Sequence, residues 1–188
     1  LMTLVYPERQ LDMVRSMVDM YKEWGWMPKW ELFGRETFTM EGDPAIPVIA
    51  DTWLKGLKDF DIQTAYEAFV KSAETPGKDN LMRPDVDPYI DRGYVPLGMY
   101  SADLSGDNSV SHALEYYIAD YALSLLAADL GYKEDSERYL ARSLQYRNYY
   151  CPEFGTFRPL TKDGDFLEPF NPRQGENFEP VPGFHEGS

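Results

Sequence analysis

The stretch WGWMPKWELFGRETFTMEGDPAIPVIADTWLKGLK, residues 24–58, places three tryptophans and several charged side chains directly before a well-marked helix. Glycines at positions 25, 34 and 42 indicate turns rather than one long element. Aromatic faces cover the apolar face of a pyranose, and carboxylates or guanidinium groups bind its hydroxyls. The stretch is therefore typical of a sugar-binding wall, and a loop whose aromatic side chains fill the domain core is the equally common alternative.

Helical patterns flank this stretch on both sides. Residues 8–23 predict a helix that ends at Gly25. Asp43 is predicted to cap a second helix with its carboxylate, because Pro44 suits the first helical position. Asp61 is predicted to cap a third. The apolar stripes that define these helices are Leu11, Val14, Val18 and Tyr21, then Ile46, Ile49, Trp53 and Leu57, then Ile62, Ala65, Phe69 and Ala73.

The second half of the chain predicts a helical hairpin after a long loop. Residues 78–108 have no sustained period and several prolines and glycines, so we expect a long ordered loop of the kind that is usually functional. A fourth helix is predicted to begin near Ser109 or Ser111 and end at Leu130, and a fifth to cover residues 133–150. Helix pairs with aromatic loops between them indicate an all-α fold, an α/α toroid. The sequence has no fixed repeat period, which argues against tetratricopeptide units.

The C-terminal tail, residues 151–188, is rich in proline, glycine, acids and phenylalanine. It is too aromatic for a disordered linker, and we expect an extended, ordered lining over the helix ends. Asp163-Gly164 predicts a turn. Asp163 and Asp165 share a spacing with calcium loops, but the rest of that pattern does not follow.

Composition excludes several classes of partner. The 188 residues are 43% hydrophobic, enough for the core of roughly one domain. The net charge of −14 repels nucleic acid and anionic membranes, and no stretch approaches the ~18 apolar residues of a membrane span. A single cysteine, Cys151, excludes an internal disulfide and a cysteine-cluster metal site, and two histidines argue against a zinc site, so a metal here would be a hard cation bound by oxygen.

Five segments, in order along the chain, resemble the catalytic domain of glycoside hydrolase family 92, the calcium-dependent exo-acting α-mannosidases. They are YPERQLDMVRSMVDMYKEWGWMPKWEL (6–32), MEGDPAIPVIADTWLKG (40–56), SVSHALEYYIADYALSLLAADLGYKED (109–135), RSLQYRNYY (142–150) and GFHEG (183–187). The resemblance implies a partial (α/α)6 toroid with long aromatic-rich loops, inversion at the anomeric carbon, and a mannose-containing glycan held in part by calcium. The family's N-terminal β-domain, the remainder of the toroid and the motif that supplies the base are expected outside residues 1–188. Family habit implies a periplasmic or extracellular location.

The resemblance also implies site residues. Glu186, in Phe184-His185-Glu186-Gly187, matches the family's general acid, and Trp30 and Glu31 match its Trp-Glu pair, which we expect at the wall of the sugar site. An inverting glycosidase needs one such acid and a second carboxylate that activates water. Residue physics alone favours a solvent-exposed carboxylate at Glu186, since carboxylates are mostly exposed, and Ser188 departs from the Asn that commonly follows the motif. No calcium ligand is assigned within these residues.

Other charged residues are given no part in chemistry. Asp51 and Lys55 are predicted to form a surface ion pair at helical i, i+4 spacing. His112 and Glu115 are placed in the first turn of the fourth helix, where an acid complements the helix dipole. Two rival functions are another carbohydrate-active enzyme of the α/α-toroid type, and a non-catalytic carbohydrate-binding or scaffold domain.

Overall fold

The computed structural model describes residues 1–98 and 109–173. Within these ranges most residues of regular structure are helical, and each strand is two residues long. The helices are α1 (Met2–Val5), α2 (Pro7–Trp24), α3 (Ala45–Leu54), α4 (Ile62–Glu74), α5 (Val86–Arg92), α6 (Ser109–Leu130) and α7 (Lys133–Ser143). Short 3₁₀ segments cover Gly77–Asp79 and Leu144–Tyr149, and the strands are β1 (Glu31–Leu32), β2 (Arg35–Glu36), β3 (Tyr150–Cys151) and β4 (Thr156–Phe157). The prediction of an all-α fold is confirmed for this part of the chain.

Two buried apolar clusters hold the helices together, and α6 contributes to both. The first joins α2, α3, α4, α6 and α7. It includes Val14, Val18, Ile46, Ile49, Phe69, Leu123, Leu126 and Tyr139. The second joins α5, the start of α6 and the tail. It includes Val86, Tyr89, Val95, Val110, Tyr116, Tyr117, Tyr149 and Leu160. Burial of apolar surface on both sides of α6 makes it the central helix of the described fold.

Two of the predicted helix ends are confirmed. Gly25 ends α2 in a left-handed conformation, with φ of 78°, and its N–H donates to the Tyr21 carbonyl. Glycine adopts this conformation without the clash that a Cβ atom would cause. The Asp61 carboxylate caps α4 by accepting a hydrogen bond from the Thr64 N–H at 3.1 Å.

The prediction that Asp43 caps the next helix is wrong. Helix α3 begins at Ala45 with Pro44 at its N-cap and has no side-chain cap. The Asp43 side chain instead points inward, where it accepts hydrogen bonds from the Ser72 hydroxyl and from Arg83 Nε. A buried guanidinium carries a full charge and attracts a carboxylate more strongly than the neutral N–H groups of a helix terminus do, which accounts for the direction of the side chain.

The predicted loop over residues 78–108 is only partly a loop. It contains the 3₁₀ turn and the seven-residue helix α5, and residues 99–108 lie outside the described part of the chain. Asn80 organises the segment, since its amide donates to the carbonyls of Ser72 and Thr75 and its side-chain oxygen accepts from the N–H groups of Met82 and Arg83. These side-chain bonds, to residues two to eight positions away, order a segment that has no periodic sequence of its own.

The fifth predicted helix is shorter than expected. Helix α7 ends at Ser143 and the chain continues as a 3₁₀ segment to Tyr149. The Tyr149 hydroxyl is buried and accepts from the Val95 N–H at 2.8 Å. The same hydroxyl donates to the Val95 carbonyl at 2.8 Å, so the end of the 3₁₀ segment is bound to the backbone of Val95, 54 residues earlier in the chain.

The tail is ordered and extended as far as residue 173, as predicted. Strands β3 and β4 form an antiparallel hairpin, and Leu160 bridges Phe166 across a turn that contains Gly164. The buried guanidinium of Arg158 lies over the rings of Phe154, Phe166 and Phe170 at 5.0–5.7 Å. Cation–π contacts of this kind stabilise a segment that has little regular structure.

Candidate active site

The Trp-Glu pair lies on a small hairpin between α2 and α3. In this hairpin β1 pairs with β2, and Glu31 is opposite Glu36. Trp30 is 41% exposed and Glu31 is exposed, whereas Met27, on the same stretch, is buried. Trp30 therefore does not fill the core of the described fold. Trp26, half-buried, is instead covered by the Lys71 ammonium at 4.5 Å from its ring centre.

Lys29 ties the hairpin to the rest of the fold. Its Nζ donates to the carbonyl of Met82 at 2.8 Å and to that of Met40 at 3.3 Å. Burial lowers the pKa of this ammonium, and the charges of Asp43 and Asp85 oppose part of that effect. The Lys29 side chain thus links the loop before α3 to the loop before α5.

Behind the hairpin lies a network of buried charges. Arg83, with a fully buried side chain, donates from Nη1 to Asp120 at 2.7 Å and from Nε to Asp43 at 3.3 Å. Asp120 also accepts from the Tyr89 hydroxyl at 2.9 Å and from Arg142 Nε at 2.8 Å. The network therefore joins α5, α6, α7 and the two loops that precede α3 and α5.

These pairings and burial shift the pKa values of Arg83 and Tyr89. Burial by itself would lower the pKa of Arg83, but Asp120 and Asp43 outweigh it and raise that pKa. Burial and the Asp120 charge raise the pKa of Tyr89. Asp43 Oδ1 and Arg83 Nη2 have no hydrogen-bond partner among the described residues. Two polar atoms of this buried network therefore lack a hydrogen bond within the described part of the chain.

A second buried group is centred on Asp85, next to α5. Asp85 Oδ2 lies 2.8 Å from His112 Nδ1, and its Oδ1 accepts from the Tyr116 hydroxyl at 2.6 Å. Burial would raise the pKa of Asp85, but the hydrogen bonds from His112 and Tyr116 lower it overall. For His112 burial would lower the pKa, but the hydrogen bond and charge of Asp85 raise it above 6.5.

This pairing predicts a loss of stability at alkaline pH. Because the pKa of His112 is higher in the folded than in the unfolded chain, the pair stabilises fully below the unfolded value and less as pH rises through the folded value. We expect the midpoint of thermal unfolding of the full-length polypeptide to decrease as pH rises above about 6.5, the ordinary pKa of histidine, and to decrease less in His112→Gln. Equal pH dependence in wild type and variant would contradict the assignment.

The pKa of the Glu115 carboxyl is raised, which its position in the sequence did not indicate. The sequence predicted Glu115 in the first turn of this helix. Helix α6 begins at Ser109, so Glu115 lies in its second turn. Burial and the charge of Glu41 raise the pKa of the Glu115 carboxyl. It therefore lies in a locally acidic region and does not serve as a partner of the helix dipole.

Of the remaining sequence predictions, one is confirmed and one falls outside the described residues. The Asp51–Lys55 ion pair is confirmed, with Nζ 2.8 Å from Oδ2 on the surface of α3. Glu186 lies outside the described residues, so its relation to Trp30 and Glu31 stays a prediction. The buried network of Arg83, Asp85 and Asp120 was not predicted. Asp120 did carry a signal, since it interrupts the apolar sequence of α6 at a position that faces the core.

No calcium ligand is assigned within residues 1–98 and 109–173. In that part of the chain no group of three or more His, Cys, Asp or Glu side chains is placed to hold a metal ion. The buried carboxylates that could have served, Asp43 and Asp120, are paired with Arg83 instead. Nor does any helix within these ranges have the length and apolar character to cross a bilayer.

Solved structures similar to this fold are glycan-cleaving enzymes. The family GH92 inverting mannosidase BT2199 from Bacteroides thetaiotaomicron has 27% sequence identity and a TM-score of 0.82, over 92% of this chain and 23% of that one. The family GH92 α-mannosidase BT3965 from the same organism, in complex with mannoimidazole, has 33% identity and a TM-score of 0.81, over 98% of this chain and 23% of that one. The catalytic domain of these enzymes is an (α/α)6 toroid, and the predicted partial toroid is confirmed.

The sequence comparison identifies the family. The glycosyl hydrolase family 92 catalytic domain matches residues 1–188. An uncharacterized secreted glycosidase of Arthroderma benhamiae is 32% identical over 171 residues, which is 88% of this chain and 22% of that protein. This chain belongs to glycosyl hydrolase family 92, and it spans less than a quarter of the length of these relatives.

Proposed function

We propose that the polypeptide containing this chain is an exo-acting α-mannosidase that hydrolyses terminal α-mannosides of glycans with inversion of configuration. The observation that carries the proposal is the family match along all 188 residues. The similarity to an inverting mannosidase and to an α-mannosidase bound to mannoimidazole supports both the sugar and the stereochemistry. A net charge of −14 suits a neutral glycan better than an anionic polymer.

In this proposal Glu186 is the general acid that protonates the leaving oxygen. The second carboxylate, which activates water from the opposite face, comes from another part of the polypeptide. Trp30 covers the apolar face of the sugar and Glu31 accepts hydrogen bonds from its hydroxyls, since both side chains are exposed on the hairpin.

Calcium is proposed as a cofactor of the full polypeptide on the family resemblance alone. No ligand is assigned to it here, because among the described residues no three His, Cys, Asp or Glu side chains converge on one point. A periplasmic or extracellular location is likewise proposed, and the relative named as a secreted glycosidase supports it.

We further propose that other helices of the same polypeptide complete the toroid against an exposed apolar groove of about 610 Å³. Exposed apolar surface of this kind is where further elements of a fold can pack. The apolar residues that line the groove are Leu1, Met2, Pro47, Val48, Leu54, Ile118, Tyr121 and Leu125.

The test is the stereochemistry and sugar specificity of hydrolysis by the full-length polypeptide. With a mannose disaccharide as substrate, the first product seen by proton NMR is expected to be β-mannose, which then mutarotates. α-Glucosides and α-galactosides of the same aglycone serve as controls and should not be cleaved. Initial formation of α-mannose, or cleavage of a control but not of the mannoside, would overturn the proposal.

A further inference from the structure

The Glu36 carboxylate accepts hydrogen bonds from four backbone N–H groups of its own loop, in two consecutive pairs, Lys29-Trp30 and Thr37-Phe38. Oε1 accepts from Trp30 at 3.0 Å, Thr37 at 2.9 Å and Phe38 at 2.7 Å. Oε2 accepts from Lys29 at 2.6 Å and also from Trp30 at 3.0 Å. Hydrogen bonds to an ionised acceptor are about twice as strong as neutral ones, so this side chain is the main internal anchor of the loop.

The loop needs such an anchor because its backbone is strained. Phe33, Phe38 and Met40 all have positive φ, at 56°, 54° and 71°, which residues with a Cβ atom rarely adopt. Strained conformations persist only where surrounding contacts determine them. The N–H of Phe38 is itself one of the donors to Glu36.

The anchor acts directly on Trp30. The N–H of Trp30 donates to Glu36, and the carbonyl of Trp30 accepts from the Thr37 hydroxyl at 2.7 Å and from the Thr37 N–H at 3.3 Å. Both polar groups of this peptide segment are thus held by residues 36 and 37. The Trp30 ring remains 41% exposed, and Glu31 pairs across the hairpin with Glu36.

We propose that Glu36 is a positioning residue, which sets the backbone that presents Trp30 and Glu31 to the sugar. The proposal rests on the proposed function for the identity of the ligand, but the anchoring itself does not. Glutamine at this position keeps the length of the side chain but retains one acceptor oxygen, and its NH₂ group would face N–H donors. Glu36→Gln therefore removes the anchor with little change in volume.

The experiment compares wild type, Glu36→Gln and the control Glu23→Gln in the full-length polypeptide. Glu23 is an exposed carboxylate on α2, away from the hairpin. For Glu36→Gln we expect kcat/KM on the mannose disaccharide to fall ~10- to 100-fold, mainly through a higher KM, because misplaced binding groups weaken substrate binding. Hydrogen–deuterium exchange should become faster in residues 29–40 and stay unchanged in α4 and α6. Glu23→Gln should match wild type in both measurements.

The outcomes separate this inference from the proposed function. If wild type cleaves the mannoside and Glu36→Gln shows the same KM, the positioning role is overturned, whether or not exchange in residues 29–40 changes. A loss in kcat with unchanged KM and faster exchange throughout the domain would mean general destabilisation, and it would overturn the role as well. If wild type does not cleave α-mannosides, the proposed function fails. In that case unchanged exchange in residues 29–40 of Glu36→Gln would also overturn the anchoring.

Discussion

Glu186→Gln in the full-length polypeptide is expected to lower kcat/KM on a mannose disaccharide by ~10²–10⁴-fold, the usual contribution of a general acid. The amide keeps the shape of the side chain but has no proton to give to the leaving oxygen. An aryl mannoside whose phenolate leaves readily needs little protonation, so its hydrolysis should fall far less. The measurement is kcat/KM for both substrates in wild type and variant.

A different role for Glu186 has a different signature. A residue that only binds the sugar would cause similar losses on both substrates, and mainly through KM. Equal losses would therefore contradict its assignment as the acid. Glu153→Gln, an exposed carboxylate of the tail, is a suitable control and should leave both substrates unaffected.

Arg83→Met is expected to destabilise the domain by about 3–5 kcal/mol, the usual cost of breaking a buried ion pair by removing one partner. Methionine fills much of the volume, but it leaves Asp43 buried without a cation and removes one of the two guanidinium groups that Asp120 contacts. Hydrogen exchange of the α4 and α6 amides in the full-length polypeptide measures this loss as a change in opening free energy.

Two further variants show whether the loss comes from the ion pair. Arg9→Met, at an exposed position of α2, should change the opening free energy by less than about 0.5 kcal/mol. Arg83→Met combined with Asp43→Asn should cost less than the sum of the two single changes, because the second change removes a charge that the first left unpaired. A loss for Arg83→Met no larger than that for Arg9→Met would show that the network does not stabilise the fold.

The helices whose signals are local were predicted well. Gly25 ends α2 and Asp61 caps α4 because the contacts that decide these ends lie within four residues of them. The Asp51–Lys55 pair was predicted for the same reason. Helix α5 was not predicted, because its order comes from Asn80 and from packing of Tyr89 against α6.

The candidate site was predicted by residue type and resemblance, but not in its geometry. Trp30 and Glu31 could be named from the sequence, whereas composition fitted an aromatic core plug equally well. The loop that carries them is held by hydrogen bonds to Glu36 across a turn with positive φ angles. Such bonds have no periodic signature in the sequence.

The sequence by itself determined the helical class, the positions of α2, α4 and α6, and the family resemblance, since periodicity, capping residues and motifs are local properties. Only the tertiary structure decided the direction of Asp43. Its carboxylate had the spacing of a helix cap, yet it lies inside against Arg83, which is 40 residues away in the chain. The same holds for Asp85 with His112 and for Asp120 with Arg142. A buried charge takes the partner that the packed helices bring within reach, and that partner is set by the fold and not by the neighbouring sequence.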